Sequence, residues 1–100
     1  MPKTLFLISQ SPNRAENLNT VLGVISPGDA ICFIQDGVYF SNDGFVPERL
    51  KNGLSEIEGK DVSIYYLAPD LKARGLSYDK EKVDYDGLLD LIEKYDNVFH

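Results

Sequence analysis

The chain is poor in reactive and metal-binding side chains. Its 100 residues contain one cysteine, one histidine, one methionine and no tryptophan. A lone cysteine excludes an internal disulfide and fits a reducing, cytoplasmic setting. The histidine is His100, and neither it nor Cys32 belongs to a spaced ligand cluster, so no metal and no cofactor is expected. A glycine-rich phosphate loop and a dinucleotide fingerprint are both missing. No apolar run is long enough to span a bilayer, so no membrane partner is expected. Leu5-Phe6-Leu7-Ile8 is too short for a secretory signal and is followed by Ser9-Gln10-Ser11-Pro12 instead of a cleavage site. Basic residues are scarce as well, ten against sixteen acidic ones, for a net charge of -6. Such a surface repels phosphate backbones, so direct nucleic-acid binding is not expected.

What is present is ordinary globular material, 43% hydrophobic and 26% charged. A chain of this length forms one domain over residues 1–100 and buries roughly two-thirds of its unfolded surface without a staple. Leu5–Ile8, Ala30–Ile34 and Val62–Leu67 are apolar runs suited to strands covered on both faces. Between them, Ala15, Leu18, Leu22 and Ile25, then Val46, Leu50, Leu54 and Ile57, recur at helical spacing. A short helical turn over Ala68–Arg74, a strand at Val83–Tyr85, a helix capped by Asp86 and a terminal strand at Val98-Phe99 complete the pattern. Val38-Tyr39-Phe40 is read as a short helix or bend. Alternating strands and helices predict a single-domain three-layer α/β/α sandwich with a mostly parallel sheet of about five strands.

In such a sheet, sites form beyond the carboxyl ends of the strands. Three polar loops belong there: Ser9–Arg14, Gln35–Tyr39 and Ala68–Gly75. Ser11 and Arg14 at a helix start, with Asp36 and Asp70 opposite, are the candidates for binding a small anion or ligand. Each also has a plain structural reading, Ser11 as a cap and the aspartates as turn or cap residues. Cys32 is the only candidate nucleophile. Strand alternation puts it on one sheet face with Ala30 and Ile34, opposite Ile31 and Phe33. No Lys, Arg or His lies within four residues of it, so apolar surroundings are expected to suppress its thiolate.

The elements Gln10-Ser11-Pro12, Pro27-Gly28-Asp29-Ala30, Gln35-Asp36-Gly37-Val38-Tyr39, Leu67–Gly75 and Val83–Leu91 occur in this order over almost the whole chain. Together they resemble the DsrE/DsrF/DsrH superfamily, in its DsrH/TusB branch. The resemblance implies a sulfur-relay role, in which persulfide sulfur passes between cysteines of related subunits toward 2-thiolation of the tRNA wobble uridine or in dissimilatory sulfur metabolism. It also implies partners, DsrE/TusD-like and DsrF/TusC-like chains, the former carrying the principal sulfur-accepting cysteine. Many DsrH-like relatives hold a cysteine in the helix after the first strand. Here that position falls at about Val21, which cannot hold a persulfide, and Cys32 is not its counterpart.

The leading expectation is therefore a non-catalytic subunit of a relay complex. Val38, Tyr39, Phe40 and Phe45 are its candidate interface residues, because they cluster beside turns; taken singly, each reads rather as ordinary core. The alternatives are a sulfur carrier using Cys32 and a small anion- or ligand-binding module acting as a homo-oligomer.

Overall fold

The computed structural model describes residues 2–76 and 81–100. Five strands form one sheet: β1 Thr4–Ile8, β2 Ala30–Phe33, β3 Ser63–Leu67, β4 Lys82–Val83 and β5 Asn97–Phe99, in the order β4-β3-β2-β1-β5. Every pairing is parallel, and Cys32 lies level with Leu7 on one side and Tyr65 on the other. The helices are α1 Glu16–Val24, α2 Glu48–Glu58, α3 Ala68–Ala73 and α4 Tyr85–Lys94. This is the α/β sandwich that the strand–helix alternation predicts.

The two faces of the sheet are unequally filled. Phe6, Ile8, Ile31, Phe33 and Tyr66 pack against Leu18 and Val21 of α1, Leu50, Leu54 and Ile57 of α2, and Leu71 of α3. Phe33 stacks between Phe40 and Tyr66, with ring centroids 4.9 and 5.0 Å away. On the opposite face, Leu5, Ala30 and Cys32 meet Leu91 and Tyr95 of α4, with Leu7, Ile34, Tyr65, Leu88 and Ile92 only partly buried around them.

Local structure departs from the sequence reading in four places. Pro12–Arg14 forms a single 3-10 turn, and α1 opens only at Glu16. Ser11 holds the cap position of that turn, yet its side chain makes no capping hydrogen bond. By contrast, Gln35–Ser41 wind as a 3-10 helix, in agreement with the short helix or bend read at Val38-Tyr39-Phe40, and it turns Val38 and Phe40 inward. The fourth strand lies at Lys82–Val83, so Tyr85 opens α4, and Asp84, not Asp86, is the cap, accepting a hydrogen bond from the Gly87 amide at 2.7 Å. An N-cap needs extended backbone while its side chain reaches two or three residues on. Asp84 has both; Asp86 is already helical.

Two residues fix the turns around β2. Asp29 is buried, and its carboxylate accepts from the amides of Thr4 at 2.9 Å and Ser26 at 3.0 Å, joining the start of β1 to the loop before β2. At Gly37 an added Cβ would collide with the carbonyl oxygen of Ile8. That carbonyl accepts from Ile34 at 2.9 Å, so the chain leaving β2 must pass close to the end of β1. Only a residue without a side chain allows this approach.

Candidate functional site at the carboxyl end of the sheet

Cys32 is fully buried in the middle of the sheet's α4 face. Alternation along β2 decides this, because Phe33 takes the other face. Burial, reinforced by the negative charge of Asp70, pushes the thiol from its ordinary value of 9.0 up to about 12. At neutral pH the sulfur is a protonated, hydrocarbon-packed thiol, the opposite of what a sulfur nucleophile requires. Val21 is also fully buried, on the inner side of α1.

The loops after β2 and β3 meet around Arg74. Its guanidinium contacts Asp36 Oδ1 through Nη2 at 3.0 Å and through Nε at 3.1 Å. Nη1 lies 3.9 Å from Asp70 Oδ1 and donates to the Asp70 carbonyl at 3.3 Å. Asp70 Oδ2 in turn accepts from the Gln35 amide at 2.6 Å. Gln35 has a φ of 49°, in the left-handed region that side chains disfavour. The carboxylate thus holds a strained residue at the end of β2. Asp36 and Asp70 are brought together, as a tether between two loops.

The cluster's chemistry follows from its charges. One guanidinium between two carboxylates leaves a net negative site with its cation already engaged, which disfavours an anion. Ser11 and the exposed Arg14 lie on the neighbouring turn, which packs beside the Gln35–Ser41 helix. Among the described residues, no hydrogen bond or ion pair joins Arg14 to Asp36 or Asp70. Arg74 is the residue that sequence reasoning did not single out. The signal was available: Asp70 and Arg74 stand four apart on a helical turn, the spacing that brings side chains together. Among the described residues, no group of three or more His, Cys, Asp or Glu is placed to hold a metal ion.

The interface candidates separate into two kinds. Val38 and Phe40 are 0% and 3% exposed and belong to the chain's own core, which agrees with their reading as core residues and removes them from the interface candidates. In a 3-10 helix of three residues per turn, the residues between buried positions are the ones left outside. Tyr39 is half-buried and meets the exposed Phe45 edge-on, with centroids 5.5 Å apart. Tyr39 and Phe45 are therefore the pair that remains at the surface.

Comparison with known proteins places this architecture in a family. The family described as DsrH like protein matches residues 10–98. Protein TusB of Photorhabdus laumondii subsp. laumondii is 31% identical over 99 residues, covering 95% of this chain and 97% of that protein. Protein TusB of Erwinia tasmaniensis is 33% identical over 72 residues, covering 72% of this chain and 68% of that protein. Among solved structures, the ychN protein from E. coli aligns with a TM-score of 0.80 at 16% identity, covering 99% of this chain and 98% of that one. Protein Tm0979 from Thermotoga maritima aligns at 0.62 and 19% identity, covering 91% and 92%. At those identities the structural likeness speaks for the fold alone. The family match spans nearly the whole domain, through both loops of the Asp36–Arg74–Asp70 cluster, and the chain belongs to the DsrH-like family.

Proposed function

We propose that this chain is a non-catalytic subunit of a sulfur-relay complex, one that docks on DsrE/TusD-like and DsrF/TusC-like chains and carries none of the relayed sulfur itself. The relay would deliver persulfide sulfur toward tRNA wobble-uridine 2-thiolation, the direction favoured by the TusB relatives, or serve dissimilatory sulfur metabolism. One observation carries the reading: a DsrH-like chain whose only thiol is fully buried and pushed up to about 12. Persulfide transfer needs a thiolate with an open line of attack on the incoming sulfur. Cys32 has neither, and Val21 has no sulfur.

The test is mass spectrometry of the folded chain after incubation with a low-molecular-weight persulfide donor, alone and together with a DsrE/TusD-like subunit from the same host. The expected result is persulfide on the partner and none on Cys32 until the chain is unfolded. Rapid, stoichiometric labelling of Cys32 in the native protein would make the chain a carrier and overturn the proposal.

A further inference from the structure

The apolar stripe of α4 is wider than the sheet beneath it requires. Leu88, Leu91, Ile92 and Tyr95 turn toward β1 and β2. Tyr85 and Leu89 do not, standing 60% and 58% exposed. At about 100° per residue, Tyr85 and Leu89 follow Ile92 around the helix as a continuation of the same stripe. They sit on the thin side of the molecule, where among the described residues α4 is the one helix covering the sheet face and Leu7, Ile34 and Tyr65 are left half-buried. Immediately beyond Leu89 around the helix come Glu93, Asp86 and Asp90, all exposed. The helix's single cation, Lys94, lies farther round and leans toward the Tyr95 ring, 5.9 Å from its centroid.

We infer that this face of α4 docks a partner protein whose contact surface is an apolar cleft bordered by Lys or Arg. Charge identifies the occupant. An isologous pairing of two copies would bring two sets of Asp86, Asp90 and Glu93 into one interface of a chain already at -6 and supply no matching cations there, whereas a basic border neutralises them. Tyr85 supplies the kind of aromatic anchor that dominates interface energetics, and Leu89 fills the cleft beside it. The inference rests on the relay-subunit reading for the existence of partners and adds where one of them binds and with what chemistry.

The experiment is amide hydrogen exchange on the full chain, alone and with the host's DsrE/TusD-like and DsrF/TusC-like subunits, paired with affinity measurements on Leu89→Ser and Asp90→Lys. Both substitutions fall at exposed positions, and a thermal melt verifies that each variant is folded. Slowed exchange over residues 85–93 in the complex is expected, with at least a tenfold loss of affinity for each variant. The wild-type affinity should fall with added salt, and Asp90→Lys should flatten that dependence. A complex that protects other segments while leaving 85–93 unchanged overturns this inference and leaves the relay-subunit reading standing. Self-association of the chain alone with protection at 85–93 also overturns it. Failure to bind either subunit defeats both readings together.

Discussion

Neighbouring residues on β2 sit in very different surroundings. Phe33 faces the side covered by α1, α2 and α3, and stacks between two aromatic rings. Cys32 faces the side that, among the described residues, one helix covers, α4, and several residues around it are only half-buried. The first face is covered by three of the chain's own helices and leaves Phe99 of β5, beside Phe6, 48% exposed at its edge. The second closes over its centre and leaves apolar surface around the margin, at Tyr85, Leu89 and Val98. The two faces thus differ in how many helices cover them, three on one and, among the described residues, one on the other. The lone thiol falls on this thin side, yet it packs in one cluster with Leu91 and Tyr95 of α4, so the position that looks least protected by helix number is fully enclosed.

The largest test of this difference is truncation on the closed face. Phe33→Ala should cost about 3–5 kcal/mol, because it removes a fully buried ring and leaves Phe40 and Tyr66 facing a cavity. Urea unfolding monitored by circular dichroism measures it. A loss below about 1 kcal/mol would mean that the two faces are not packed to different degrees.

The next test uses the thiol's ionisation. Cys32→Ala should cost about 1 kcal/mol near neutral pH, the transfer and cavity cost of one sulfur atom. The pH dependence runs the other way. Above pH 9 the unfolded thiol releases its proton while the folded thiol keeps it up to about pH 12, so the unfolded state binds fewer protons and stability falls as pH rises through that window. Cys32→Ala lacks this loss. Its stability curve should therefore cross that of the wild type in the alkaline range and exceed it by on the order of a few kcal/mol at the upper end. Parallel curves from pH 7 to pH 12 would place the sulfur in contact with water.

The smallest effect belongs to the uncovered margin. Leu89→Ser should change the stability of the isolated chain by no more than about 0.5 kcal/mol, since the side chain is 58% exposed there. The same substitution should matter in a complex. A large destabilisation of the isolated chain would mean that Leu89 is already packed, and that the thin face is finished after all.

Much of this molecule is written in patterns with a short physical range. Apolar runs bounded by Pro27-Gly28-Asp29 and Asp36-Gly37 locate β2, and period-two alternation separates Cys32 from Phe33. The i, i+3, i+4 and i+7 stripe of α4 locates its buried face. Less legible were residues whose role depends on a distant segment. Asp29 reads as a turn residue until β1 brings the Thr4 amide to its carboxylate. Arg74 reads as a helix-end cation until the loop after β2 brings Asp36 within 3.0 Å. Val38 and Phe40 read as either core or interface, because no periodicity short of a 3-10 assignment shows which way they point.

By itself the sequence determined the alternation of strands and helices, the parallel sheet, and the placement of its one sulfur atom in an apolar strand. Those follow from side-chain periodicity and from turn chemistry, which act over a few residues. The tertiary structure decided which carboxylates share Arg74, which aromatic residues of the 35–45 segment turn inward, and that, among the described residues, one sheet face receives a single helix. Those depend on contacts between segments tens of residues apart, where packing and desolvation, not local pattern, choose the partner.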